Sequence, residues 1–381
     1  MTLKSYVTNI RRHIHQYPEI GFQCVKTQQF IKQQLNEIGV NEVISVGKYS
    51  LIGVIRNGQG PIIGLRADMD ALAMPEETGL PFQSVHEGKM HACGHDAHVA
   101  MLLGACKYLY NHQDEWSGTV KFIFQEAEEG PNPGGAFAIC RSGLIDDCED
   151  FFALHVSPSY PSGFLAVNEG EALAAADIIY IDFIGKGAHA AFPNEGIDPL
   201  IMQAEFILMA QSIISREISP MDKAVISITK VHGGTAFNVI PETVQLRGTV
   251  RTFKPQVREK IKHELEAIAS SIAQRHGGSY KFKYILGYDP VINTVSSTRK
   301  MVSASQIVLG NEKVIILDNP SLGGEDFSRY IQLKRGCIAW LGVKQELMDT
   351  YPIHHPKFNL NEEALIYGVH IFIELIKRRE K

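Results

Sequence analysis

Long apolar runs are missing from this 381-residue sequence. No stretch reaches the ~18 uncharged apolar residues that cross a bilayer as a helix, so no membrane partner is expected. The opening MTLKSYVTNIRRHIHQYPEIGF has no apolar core followed by a small-residue cleavage site, and no secretory leader is read there. Cysteine is scarce: Cys24, Cys93, Cys106, Cys140, Cys148 and Cys337 stand at irregular spacings. They do not form a disulfide scaffold, and free thiols in a reducing cytoplasm are expected, any special one being a ligand or nucleophile. Positive charge is not in excess, with 37 Lys and Arg against 42 Asp and Glu and a net charge of −5, which argues against a nucleic-acid partner. The chain is not poor in apolar residues either: 45% hydrophobic and 21% charged excludes a disordered polymer. Internal repeats and low-complexity segments are absent.

What is present is a chain longer than the ~250–300 residues at which a single core stops growing, so two domains are expected. Tyr6, Ile10 and Ile14 fall at helical spacing and Pro18 closes the segment. Thr27 to Ile38 reads as an amphipathic helix, and HDAHVAMLLGACKYLYNH as another. Between them lie short apolar strands, SLIGVIRN and PIIGLRADMDAL, followed later by TVKFIFQ and FFALHV. Strands alternating with helices predict an α/β domain with helices on both sheet faces. From about Ala176 to Asp289 the order becomes β-α-β-β-α-β: ADIIYIDFIGKG, a helix from about Pro199 to Ser215, KAVISITKVHGG, TVQLRGTVRTF, a helix from Gln256 to His276, and SYKFKYILGY. That is the order of a ferredoxin-like unit. Lying mid-chain, it predicts an inserted domain over 176–290, with 1–175 and 291–381 forming the first domain.

The fifteen histidines are more informative, because several sit in clusters. Met90-His91-Ala92-Cys93-Gly94-His95-Asp96-Ala97-His98 places Cys93 and His95 where a loop enters a helix, so both can face one ion. Thiolate and imidazole suit zinc and other late first-row divalent metals. Glu126-Ala127-Glu128-Glu129-Gly130 follows the apolar strand 120–124. In a cleft, one of these carboxylates could bind a metal while its neighbour serves as general base on a metal-bound water. His155 interrupts FFALHV, and His354-His355 precedes Pro356 in a loop. Singly, each has a plain reading: a buried apolar thiol, a solvated acidic turn, a core histidine, an exposed loop pair. Together, at strand ends of one domain, they predict a mixed N/O/S divalent-metal site.

The chain resembles the amidohydrolase branch of the aminoacylase/carboxypeptidase-type metallopeptidases. That branch includes hippurate hydrolases, auxin–amino-acid conjugate hydrolases and N-acetyl-diaminopimelate deacetylase. The resemblance runs nearly end to end, through RRHIHQYPEIGF, LRADMDAL, MHACGHDAH, FQEAEEGP, ALHV, GKGAHAAFP, FNVIPE, GGEDF and IHHPKFNLNEE. It implies a metallopeptidase-type α/β catalytic domain with an inserted ferredoxin-like lid and dimerisation domain. It implies Cys93, His95, Glu129, His155 and His354 as metal ligands, the last in preference to His355. Glu128 falls on the general-base position. His189 falls on a histidine that reaches a partner's active site and hydrogen-bonds the carbonyl under attack. Asn238 and Arg251 match positions that bind the substrate's carboxylate end. One or two divalent ions (zinc, manganese, cobalt or nickel) are expected. The expected substrate is a small N-acyl amino acid cleaved to a carboxylate and a free amino acid, and the expected assembly is a homodimer or tetramer. The alternatives are a dipeptidase or carboxypeptidase of the same family, or a catalytically silent binding homologue. Four departures stand out: Glu126 where the family usually has Pro, Ala188 for Gly, Asn194 for His, and Cys24 for Glu. None falls on a ligand or base position.

Overall fold

The computed structural model describes residues 1–130, 132–345 and 350–377; Pro131, the end of the FQEAEEGP motif, lies outside them. The chain forms two compact units, one of residues 1–172, 291–320 and 326–381, the other of residues 173–290 and 321–325.

The first unit is built on an eight-stranded mixed sheet. Its strands are β1 (Glu42–Val46), β2 (Ser50–Asn57), β3 (Ile62–Asp68), β4 (Gly118–Gln125), β5 (Asp150–Pro161), β6 (Leu165–Val167) and, after the second unit's four, β11 (Val314–Ile316) and β12 (Arg335–Lys344). The spatial order is β1-β2-β4-β3-β5-β12-β6-β11. At its centre β4, β3, β5 and β12 run parallel, so their carboxyl ends share one edge of the sheet. Parallel strands are covered on both faces, and side-chain alternation shows how. Phe152, Leu154 and Val156 of β5 join one large core with α1 (Leu3–Gln16), α2 (Val25–Ile38), α3 (His95–Asn111), α6 (Val295–Leu309) and α7 (Leu365–Lys377). Phe151, pointing the other way, packs on Tyr330 of the short helix Ser328–Leu333, their ring centroids 5.3 Å apart.

Local sequence explains the elements. Thr2 caps α1 by accepting the Ser5 N–H, and Gly39, at φ 107°, ends α2 in the left-handed conformation. From His95 through Cys106 every residue of α3 is buried. This helix is apolar all round from Val99 to Cys106 because it lies within the core rather than over it, while its first turn carries the buried polar His95, Asp96 and His98.

The second unit is a four-stranded antiparallel sheet of β7 (Ala175–Ile184), β8 (Ala224–Gly233), β9 (Thr243–Thr252) and β10 (Ser279–Tyr288), in the order β8-β9-β7-β10. Ile179, Ile181 and Phe183 alternate toward α4 (Pro199–Ser212) and α5 (Pro255–His276), which contribute Met202, Phe206, Ala210, Ile261 and Leu265. This is the ferredoxin-like arrangement. The helix expected to run to Ser215 ends at Ser212 and continues as a wider turn over Ile213–Glu217. Residues 321–325 join this unit, where the Ala174 N–H donates to the carbonyls of Ser321 and Gly323.

Candidate metal and catalytic centre

The chemistry-bearing side chains of the first unit gather where the parallel strands end, the edge at which open α/β sheets place their sites. Cys93 and His95 flank Gly94, which caps the amino end of α3 at φ 88°. A Cβ on Gly94 would lie 2.3 Å from Val156 Cγ2, so only glycine lets the Cys93–His95 turn approach β5 this closely. His155 stands on β5 itself. Glu128 and Glu129 follow β4 after Ala127, and His354 lies in the loop after β12. Among the described residues, Ala127 (φ 53°) and His354 (φ 64°) are the non-glycine residues at positive φ. Such conformations carry strain, and both occur here.

The donor atoms converge. His155 Nε2 and His354 Nε2 each lie 3.4 Å from Cys93 Sγ, and His354 Nε2 lies 2.7 Å from Glu129 Oε1. Cys93, His95 and His155 form one group whose ligand atoms lie within 4.8 Å of one another; Cys93, Glu129 and His354 form a second, and His95, Glu128 and Glu129 a third. His355 is placed otherwise, stacked on Tyr351 with its Nδ1 accepting from Lys357 N–H.

Hydrogen bonds set which ring nitrogen is free. The Nδ1–H of His95 donates to the Asp70 carbonyl at 2.8 Å, and that of His155 to the Val156 carbonyl at 2.8 Å. Carbonyls only accept, so each ring presents Nε2 inward. Among the described residues the fully buried Nε2 of His95 has no hydrogen-bond partner. His98 is engaged at both ends: its Nδ1–H donates to Asp68 Oδ1 at 2.5 Å and its Nε2 accepts the Val156 N–H. Asp68 also accepts from Arg66, and Asp70 accepts the N–H groups of Glu128 and Glu129.

The electrostatics match this crowding. Burial opposes charge on His95, but the nearby Asp68 carboxylate raises it well above the usual histidine range. Burial and the neighbouring His98 hold His155 well below it. Hydrogen bonds to Cys93 and Glu129 push His354 up to about 10. Burial works against the Glu129 charge, yet the bond from His354 leaves its carboxyl lowered.

The donor set fits a divalent ion. Two ligands ~2.0 and ~2.3 Å from one ion, as imidazole and thiolate are around zinc, stand roughly 3.5 Å apart. The observed Cys93–histidine spacings are of that size, and the orphaned Nε2 of His95 faces the same atoms.

Three of the singled-out residues lie in the second unit. Residues 188–189 pair with 239–240, placing His189 opposite Val239, and the Asn238 carbonyl accepts the Ala190 N–H. His189 is exposed and its Nδ1 accepts from Ala191 N–H. Arg251 stands apart on β9, half-buried. The four departures have local accounts in part: Glu126 is buried and accepts the N–H groups of Lys48 and Tyr49, and Cys24 is buried with its thiol donating to the Gly21 carbonyl. Residue-type reasoning passed over Asp68, Asp70 and His98. The signal available was a pair of aspartates at the end of a buried strand, ahead of the Cys-x-His turn.

Residues 64–378 match the model of peptidase family M20/M25/M40. The chain is 36% identical over 381 residues to the N-acetyl-L-cysteine deacetylase of Bacillus subtilis, covering 99% of this chain and 89% of that one. It is 39% identical to the N-acetyldiaminopimelate deacetylase of Anoxybacillus flavithermus (97% and 96% covered) and 36% identical to thermostable carboxypeptidase 1 of Saccharolobus solfataricus (96% and 93%). Among solved structures it is similar to the YXEP protein of Bacillus subtilis, a dinuclear metal-binding peptidase of the M20 family, with TM-score 0.84, 34% identity and 98% of each chain covered.

Proposed function

The chain belongs to peptidase family M20/M25/M40 and is a metal-dependent hydrolase of amides; from that premise we propose that it cleaves N-acyl amino acids to a carboxylate and a free amino acid. The observation that carries this reading is the sharing of Cys93 between two three-donor groups, with the carboxylate of Glu128 grouped beside His95 and Glu129. Relatives that are named deacetylases of acetylated amino acids support the substrate class.

In this reading Cys93, His95, Glu129, His155 and His354 would hold one or two divalent ions, zinc and manganese being the first choices. A divalent ion held here would supply Lewis acidity and ease the deprotonation of water near neutral pH. Glu128 takes the proton of the attacking water and returns it to the leaving amine, a contribution of ~10²–10⁴ in rate. His189 donates a hydrogen bond to the acyl oxygen as negative charge develops there, worth ~3–4 kcal/mol. Asn238 and Arg251 bind the carboxylate end of the substrate.

His189 acts on the active site of a second copy, and the working unit is a homodimer. The second unit has surface suited to this pairing: Ile201, Leu208 and Met209 of α4 are exposed, Leu208 at 74%, and β8 is an edge strand with Val231 exposed. Unpaired edges and apolar stripes are hazards unless covered. Among the described residues no helix is long and apolar enough to cross a membrane, and we place the enzyme in the cytoplasm.

The test is a panel of N-acetyl and aromatic-acyl amino acids together with dipeptides, assayed with zinc or manganese and with a chelator. Chelator-sensitive release of acetate or an aromatic acid is expected. Turnover of peptides alone would transfer the chain to the carboxypeptidase reading, which the Saccharolobus relative favours.

A further inference from the structure

Asp70 lies just beyond β3 and is 1% exposed. The function proposed above gives it no task, yet it touches three members of the centre. Its main-chain carbonyl accepts the Nδ1–H of His95 at 2.8 Å. Its Oδ1 accepts the Glu128 N–H at 3.0 Å, and its Oδ2 the Glu129 N–H at 3.1 Å. One residue therefore orients an imidazole through its backbone and two successive glutamates through its side chain.

The turn that carries those glutamates starts at Ala127, in the left-handed region at φ 53°. A non-glycine residue there is strained and persists only when its surroundings over-determine it. Two consecutive N–H groups that converge on one carboxylate are such a determinant. Charge-assisted hydrogen bonds of this kind are roughly twice as strong as neutral ones, and convergent amides form a concavity for an anion.

We infer that Asp70 is a positioning residue that fixes the Glu128 and Glu129 backbone against His95, so that base and ligands keep one relative geometry. This rests on the roles proposed above for Glu128, Glu129 and His95. Asp70 itself touches no reacting atom. Neighbours of this kind commonly change metal affinity or activity by ~10–100-fold when altered, without being ligands.

Asp70→Asn is the decisive variant. The side chain keeps its size, but an amide offers one acceptor and one NH₂, so one of the two N–H groups faces a donor. The expected outcome is a folded protein whose affinity for zinc alone, measured on metal-free protein by competition, falls ~10–100-fold. On the best acyl amino acid of the panel, kcat should fall by a similar factor while KM stays within about threefold. Asp150→Asn is the comparison. That carboxylate is equally buried, at the opposite end of β5, and is held by Ser297, Lys300 and Arg335. It should lower Tm and leave zinc affinity and kcat near wild type. If Asp70→Asn behaves like Asp150→Asn, losing Tm alone, Asp70 is structural and the inference is overturned.

Should Asp70→Asn not fold, hydrogen exchange on the wild type decides. The Glu128 and Glu129 amides should exchange as slowly as those of β4, and rapid exchange of either in the folded protein overturns the clamp. The zinc and exchange measurements need no substrate. Failure of the whole substrate panel would therefore count against the proposed function, while the role of Asp70 would still be decided by zinc affinity and amide exchange.

Discussion

His354 Nε2 lies 2.7 Å from Glu129 Oε1, although one side chain comes from the turn after β4 and the other from the loop after β12. The contact depends on His354 holding φ 64° while its N–H donates to the Ala92 carbonyl, which ties the late loop to the Cys93 turn. His355, the next residue, faces Tyr351 instead. His354→Ala should therefore weaken zinc affinity at least ~10-fold, whereas His355→Ala should change it less than about twofold. Equal losses in competition titrations would withdraw the assignment of His354.

Glu128→Gln should retain both metal and fold while kcat drops by ~10²–10⁴, because the amide cannot accept the proton of the attacking water. Metal analysis beside steady-state kinetics reads both. Turnover near wild type with full metal content would remove Glu128 from the role of base.

Cys93→Ser should lower the metal content after dialysis against a weak chelator. Serine at the other five cysteines should leave it unchanged. Burial pushes the thiols of these five up, and that of Cys93 with them; what sets Cys93 apart is its place among imidazole and carboxylate donors. Unaltered stoichiometry and affinity in Cys93→Ser would show that its thiolate is not a ligand.

Gly94→Ala tests the cradle of the site. The left-handed φ and the 2.3 Å approach to Val156 predict a shift of the Cys93–His95 turn, with metal affinity reduced more than ~10-fold and Tm lowered. A variant that binds zinc as tightly as wild type would mean that the turn relaxes freely.

Co-expressed His189→Ala and Glu128→Gln subunits should recover part of the activity that each lacks alone, since one hybrid site of the heterodimer has both groups. Differential tagging isolates that species. No recovery in verified heterodimers would sink the role in trans, and full activity of His189→Ala alone would sink the catalytic role.

Much of the architecture is legible without coordinates because its causes are local. The alternation of Ile179, Ile181 and Phe183 marks a half-buried strand, and Tyr6, Ile10 and Ile14 mark a helix face, within a few residues of themselves. The apolar run before Glu126 likewise announces β4, and the β-α-β-β-α-β order of 175–288 follows from counting such segments. The centre is not local. Cys93, Glu129, His155 and His354 meet because β3, β4, β5 and β12, far apart in the chain, run parallel side by side and release their loops at one edge. Residue types and their order mark which side chains can coordinate a metal or move a proton, and the family resemblance already favours His354 over His355. That His354 Nε2 reaches both Cys93 and Glu129, that His98 has both ring nitrogens engaged and that Asp70 ties His95 to the two glutamates is settled by the packing of distant elements. Those relations depend on distances between elements, and residue order along a strand or helix carries no information about which other element will lie across from it.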